Sequence, residues 1–172
     1  MPAKDILIRP FQADDAEPVR QLFVEVNRGL APPDMHEAFE GYIQRSIDEE
    51  VGRIADYYAE KAGGFWVAVR GDVLIGMFGL EPSEMGMELR RMYTDPSARR
   101  QGAARLMLAR AEEEAAMMGA AQLELSTSEL QPAALGLYRS AGYELVREEV
   151  AEVASNKTLG GGLRRFHFVK QL

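Results

Sequence analysis

Tyr93-Thr94-Asp95-Pro96-Ser97-Ala98-Arg99-Arg100-Gln101-Gly102-Ala103-Ala104-Arg105-Leu106 passes from the end of a strand through a turn into the start of a helix. Asp95-Pro96 stops the strand, because proline has no N–H to continue a ladder. Such a turn leaves several backbone N–H groups pointing outward without partners, and the dipole of the following helix adds positive potential at the same place. A diphosphate would be well held there. A side chain at Gly102 would keep a ligand off the backbone, and Ala103 and Ala104 are small enough to allow its approach. Taken alone, the stretch is equally compatible with a plain helix cap carrying solvated arginines.

Toward the C-terminus, the alanine-rich helix runs to about Met118, with Gly119 placed to cap it and Ala104, Leu108, Ala111, Ala115 and Met118 on its buried side. The cluster of Met107, Met117 and Met118 reads as core packing. Leu123 and Leu125 mark the next strand, and strand-helix-strand order implies a parallel, right-handed crossover. A second helix, about Gln131 to Ser140, ends at Gly142. Tyr143 to Val150 and Arg164 to Lys170 read as two further strands, the latter burying Phe166 and Phe168, with a glycine-rich connection from Ser155 to Gly162.

Toward the N-terminus, Met87 to Thr94 is a strand, and Phe65–Val69 and Val73–Leu80 form a hairpin about Arg70-Gly71-Asp72. From about Met35 to Lys61 a helical period runs through Phe39, Tyr42, Ile43, Ile47, Val51, Ile54 and Tyr58, with Gly52 as a break between two helices. Before it, Val19, Leu22, Phe23 and Val26 mark a helix that starts near Asp14 and Asp15 and ends at Gly29, and Ile6 and Ile8 mark a short strand ended by Pro10. The order predicts one α/β (α+β) domain over residues 1–172, with a mixed sheet and helices on both faces.

The chain has 172 residues, is 47% hydrophobic and has no cysteine. That size buries a core without staples, and the composition excludes disulfides, thiolate metal sites and a cysteine nucleophile. Met1 to Asp5 offers no apolar signal core, and no run approaches the roughly 18 apolar residues of a membrane span. A cytoplasmic protein without membrane attachment is expected. A net charge of −7 disfavours nucleic acid as a partner. The acids Asp34, Glu37, Glu40, Asp48, Glu49, Glu50, Asp56 and Glu60 read as a solvated acidic helical face. Arg90, Arg91, Arg99, Arg100, Arg105 and Arg110, by contrast, concentrate positive charge in one short stretch, which suggests a local anionic ligand. His36 and His167 lack metal-ligand spacing, so no metal is expected. Walker-type G-x-x-x-x-G-K-[S/T] is absent, which removes a P-loop reading.

Arg99-x-x-Gly102-x-Ala104, following Asp95-Pro96, resembles the coenzyme A pyrophosphate signature of the GNAT superfamily of N-acetyltransferases. Gln131-Pro132-Ala133-Ala134-Leu135-Gly136-Leu137-Tyr138-Arg139-Ser140-Ala141-Gly142-Tyr143 resembles the family's second pattern, with Gln131 where asparagine is common. Strand and helix order agree from about Ile6 to Leu172. The resemblance implies a mixed, mostly antiparallel twisted sheet flanked by helices, with acetyl-CoA as cosubstrate. It implies that the backbone of Met92, Tyr93 and Thr94 pairs with the pantetheine arm, and that Arg99, Arg100, Gln101, Gly102, Ala103 and Ala104 cradle the pyrophosphate. It further implies that Arg105 or a nearby arginine meets the 3′-phosphate and that Gln131 lies beside the cofactor.

The reaction so implied needs a neutral amine, donors for the tetrahedral oxyanion and a proton for the departing thiolate. Tyr138, at the family's leucine-tyrosine position, is the expected acid, with packing as the alternative. The N–H of Met92 is the expected oxyanion donor. Glu88 is either the base or a solvated strand carboxylate. Strict alternation would place Glu88, Arg90 and Met92 on one face and Leu89, Arg91 and Tyr93 on the other. Neutralising a lysine-like amine at pH 7 costs roughly 4–5 kcal/mol and an α-amine about 1 kcal/mol, so the demand on a base depends on the acceptor. The expected acceptor is a small-molecule primary amine bearing an acidic group. Arg90 would anchor that group unless an acid of the Asp34–Glu60 helices pairs with it. Ser126 and Thr127 either line the cleft or are ordinary polar residues at a strand end, and Asn156, Gly160-Gly161-Gly162 and Arg164 read as a flexible hairpin loop in preference to an anion-binding turn. A CoA-binding regulatory module without turnover is the alternative to an enzyme, and the edge strand near the C-terminus makes a homodimer reasonable.

Overall fold

The computed structural model describes residues 5–172; residues 1–4, on which most of the Met1 to Asp5 reading falls, lie outside the described residues. The elements run β1 (Leu7–Pro10), α1 (Ala16–Leu30), α2 (His36–Glu49), α3 (Ile54–Glu60), β2 (Gly64–Arg70), β3 (Val73–Pro82), β4 (Met87–Thr94), α4 (Ala103–Met117), β5 (Gln122–Ser128), α5 (Pro132–Ser140), β6 (Glu144–Ala151) and β7 (Leu163–Gln171). The strands form one sheet in the order β1-β2-β3-β4-β5-β7-β6. All pairs are antiparallel except β4–β5. The expected mixed sheet is present, and β6 is left as an open edge carrying the exposed Val146 and Val150.

Alternation along the strands divides the apolar residues between two cores. One face joins Trp66, Phe78, Leu80, Leu89, Leu123, Leu125 and Phe168 to Met107, Leu108, Ala111 and Ala115 of α4 and Tyr138 of α5. The other joins Phe65, Val67, Val69 and Met77 to Val19, Leu22, Phe23 and Val26 of α1 and to the aromatic and aliphatic stripe of α2 and α3. The four apolar residues that predict α1 are all buried. The break at Gly52 is real: α2 ends at Glu49, a 3-10 turn spans Val51–Arg53, and α3 begins at Ile54.

Two expectations need correction. Met117 and Met118 are exposed, and only Met107 of the methionine cluster reaches the core: the buried stripe of α4 runs through Met107, Leu108, Ala111 and Ala115 and stops there, with Met118 already at the C-cap. The acidic face of α2 and α3 is not wholly solvated either. Glu50 has no exposed surface. It falls in step with Ile43, Ile47, Val51 and Ile54 on the buried stripe and so faces the sheet.

Candidate active site

Strands β4 and β5 pair only at Met87↔Leu123 and Glu88↔Glu124. From Leu89 onward, β4 has no partner on that side among the described residues, so the two strands splay and open a cleft through the sheet. On its other side, β4 keeps register with β3 through Gly79↔Arg90 and resumes it at Met77↔Tyr93, so Arg91 and Met92 together oppose Phe78. This is a β-bulge, and Arg91 takes the left-handed conformation with φ of 54°. A non-glycine residue there costs about 1–2 kcal/mol, so the surroundings must hold it.

The bulge overturns the expected alternation. Glu88, Arg90, Arg91 and Tyr93 all lie toward α1–α3, whereas Leu89 and Met92 pack on the α4 side. Two consecutive guanidinium groups are thereby buried against one carboxylate. Glu50 accepts from Arg90 Nη2 at 2.6 Å, from Arg91 Nε and Nη2 at 3.1 and 3.0 Å, and from the Tyr58 hydroxyl at 2.6 Å. Tyr58 reaches it by lying flat on Gly79, where a Cβ would meet the phenol oxygen at 2.5 Å. Arg90 also donates to Glu81 at 2.9 Å, and Arg91 to the Tyr42 hydroxyl at 2.7 Å and the Asn156 carbonyl at 2.6 Å. Burial alone would push the Glu50 carboxyl up, but Arg91, Arg90 and Tyr58 outweigh it and hold it below the ordinary value of 4.5. Arg90 is thus paired with an acid of the α2–α3 region, and its assignment as an anchor for the acceptor fails. Sequence reading missed Glu50; the signal was its place on the apolar stripe.

The turn before α4 has the geometry its sequence implies. Arg100 and Gly102 both have positive φ, 62° and 86°, so successive N–H groups turn toward one side. Among the described residues, the N–H groups of Arg100 through Arg105 make no hydrogen bond, while Asp95 caps the preceding turn by accepting from Ser97 at 2.9 Å. Gln101 is fixed by donating to the Ser97 carbonyl at 3.1 Å and by accepting from Arg70. Its backbone, not its side chain, therefore faces a ligand. Arg105 donates to Ser140 at 3.0 Å, tying the start of α4 to the end of α5.

The cleft encloses about 890 Å³, open mouth included, and holds Glu88, Met92, Tyr93, Gln131 and Tyr138 along with Ser126, Thr127 and Arg165. Tyr138 is buried against Tyr143 and Phe168, and burial pushes its phenol up to about 12. Its hydroxyl has no hydrogen-bond partner among the described residues. It is therefore protonated across the neutral range, though a weaker acid than a solvated tyrosine. Gln131 accepts from Thr127 at 3.1 Å, which leaves its amide N–H groups for another partner. Glu88 is partly exposed and accepts from Lys157 at 3.1 Å. The Ser155 to Gly162 connection, read as a flexible loop, folds back over the cleft through Asn156 and Lys157. Thus Met92, Tyr93, Gln131, Glu88 and Tyr138 share one cleft, with Thr94 at the end of β4 and the Arg99 to Ala104 turn following it in the chain. Among the described residues no three His, Asp or Glu side chains gather in a metal-binding group, and no helix is long and apolar enough to cross a membrane.

Known proteins agree with this architecture. The PaiA N-acetyltransferase of Thermoplasma acidophilum, solved in complex with coenzyme A, superposes with a TM-score of 0.76 at 18% identity, covering 97% of this chain and 99% of that one. The ribosomal-protein-alanine N-acetyltransferase of Brucella melitensis gives 0.72 at 20% identity over 96% and 99%. At these identities the likeness shows the fold. In sequence, a zebrafish (Danio rerio) N-acetylaspartate synthetase is 31% identical over 110 residues, 62% of this chain and 39% of its own length. Human N-acetyltransferase 8 is 27% identical over 110 residues, 60% and 48% respectively. The matched stretch therefore spans less than half of either relative. Residues 31–143 match the acetyltransferase (GNAT) family, a span that takes in the bulged strand, the anion-receiving turn and Tyr138. With about two thirds of its length in that match and the splayed sheet to go with it, the chain belongs to the GNAT acetyltransferase family.

Proposed function

We propose that the protein is an acetyl-CoA-dependent N-acetyltransferase that acetylates a small-molecule primary amine by direct attack within a ternary complex. The observation that carries this reading is the run of unpartnered N–H groups from Arg100 to Arg105. It follows β4, the strand that walls a cleft holding a phenol with no hydrogen-bond partner among the described residues. Arg99, Arg100, Gln101, Gly102, Ala103 and Ala104 receive the diphosphate, and Arg105 lies within reach of a further phosphate. The free side of β4 at Met92, Tyr93 and Thr94 pairs with the pantetheine amides, and Gln131 offers its amide nitrogen. Met92, displaced from the ladder by the bulge, presents its N–H to the developing oxyanion. Glu88, directly or through a water, takes a proton from the acceptor ammonium, and the neutral amine so formed attacks the thioester carbonyl, with Lys157 holding the Glu88 carboxylate in place. Tyr138 hydrogen-bonds the sulfur and gives it a proton as the C–S bond breaks. We also propose that the protein acts in the cytoplasm, a reading its cysteine-free composition supports.

Removing one hydroxyl tests the assignment. Tyr138→Phe leaves the packing on Tyr143 and Phe168 in place, so acetyl-CoA affinity is expected to stay within about twofold, while single-turnover acetyl transfer falls by about 10²-fold, the scale of a lost general acid. Unchanged single-turnover rates would return Tyr138 to a packing role. Cofactor binding with no thiol release in the presence of any amine would instead favour a silent CoA-binding module. The open β6 edge offers a ladder on which a second copy would pair, and sedimentation at rising concentration is expected to show a dimer that a proline at Val146 disperses.

A further inference from the structure

Four cations lie on the acceptor side of the cleft, and three of them are accounted for. Arg90 and Arg91 share Glu50, and Lys157 holds Glu88. The fourth, Arg165 on β7, is partly buried in the cleft wall and has no carboxylate within 4.0 Å among the described residues. Among the described residues its side chain makes one hydrogen bond, from Nη2 to the Ser126 hydroxyl at 2.9 Å, and Nε and Nη1 have no partner. The acids near it are engaged elsewhere: Glu149 by His167 at 2.6 Å and Glu88 by Lys157. Burial without a counter-ion holds the Arg165 guanidinium below its ordinary value, whereas Arg90 and Arg91, which have their counter-ion, stand above it. A cation partly desolvated in a cleft and left unpaired is costly unless something else supplies the negative charge.

We propose that Arg165 is the specificity-determining residue for the acceptor, binding a carboxylate carried by the amine substrate. The acceptors are then small amino acids or related amino carboxylates, not simple amines. Ser126 takes one of the two Nη2 hydrogens and fixes the orientation of the plane, and the other Nη2–H with the neighbouring Nε–H or Nη1–H forms the planar fork that pairs a carboxylate bidentately. The inference rests on the acetyl-transfer reading above but concerns a different residue from those that hold acetyl-CoA or move the proton.

The test compares α-amino acids with their carboxamides and with the amines that lack the group, each as acceptor for acetyl-CoA, in the wild type, Arg165→Gln and Arg165→Lys. The wild type is expected to prefer the acid of each matched set. Arg165→Gln should raise KM for the acids by about 100-fold and leave KM for acetyl-CoA unchanged, with Arg165→Lys between the two. Amides or plain amines matching the acids in the wild type, or a preference that survives Arg165→Gln, would overturn the proposal. Thermal unfolding of the CoA-saturated protein with the same compounds gives a readout independent of turnover. If no amine is acetylated but acids alone raise Tm, and Arg165→Gln abolishes the rise, the anchor stands and the acetyl-transfer reading fails. If neither turnover nor acid-selective stabilisation is found, the anchor is overturned.

Discussion

Gly102→Glu is expected to weaken acetyl-CoA binding by about 10³-fold, the sum of two effects at one position. The backbone at Gly102 has φ of 86°, so any side chain there is strained by about 1–2 kcal/mol. A carboxylate placed about 5 Å from a phosphate adds about 3 kcal/mol of repulsion at an effective dielectric near 20. Gly102→Ala separates the contributions, because it carries the strain without the charge and should lose only about tenfold. Calorimetric titration with acetyl-CoA measures both, and thermal unfolding checks that the variants fold. Near-normal affinity in folded Gly102→Glu would remove the turn before α4 from the cofactor site.

The sequence carried the elements that repeat a simple period. Val19, Leu22, Phe23 and Val26 specify the buried face of α1, and Gly71 and Gly52 mark the hairpin and the helix break. The anion-receiving turn was legible too, since proline, glycine and small residues dictate where N–H groups lose their partners. Legibility fails where tertiary contacts override period. Strict alternation along Glu88–Tyr93 put Arg90 and Arg91 on opposite faces, but the bulge turns both toward α2. No local signal announces it, because Arg91 is held there by Glu50, Tyr42 and the Asn156 carbonyl, which come from distant segments. Arg165 was invisible for the same reason. A single arginine in an alternating strand is usually solvated, and what distinguishes this one is the engagement of Glu149 and Glu88 elsewhere.

The buried network implies that Glu50 is the residue whose loss costs the fold most. Glu50→Gln keeps the shape but leaves Arg90 and Arg91 without their shared carboxylate. Arg90 retains Glu81 at 2.9 Å, so the burden falls on Arg91, left with a phenol and a carbonyl. Removing one partner of such a buried pair costs about 3–5 kcal/mol, and urea unfolding is expected to show a loss of that size. Replacing Glu50 with leucine and Arg91 with methionine together should recover much of it, because the uncompensated charge leaves with its partner. Acid should act like the mutation. The folded pKa of Glu50 lies below its ordinary value of 4.5, so its stabilisation is present above that value and lost as pH falls through the folded pKa. Wild-type stability should therefore drop more steeply as pH falls below 4.5 than that of the leucine-methionine variant, which has no Glu50 carboxyl to protonate. A loss under 1 kcal/mol for Glu50→Gln, or identical acid profiles for the two proteins, would mean that other contacts hold the bulge. If the losses match expectation, the bulge that sets Met92 out of register with β3 depends on a carboxylate at the C-terminal end of α2.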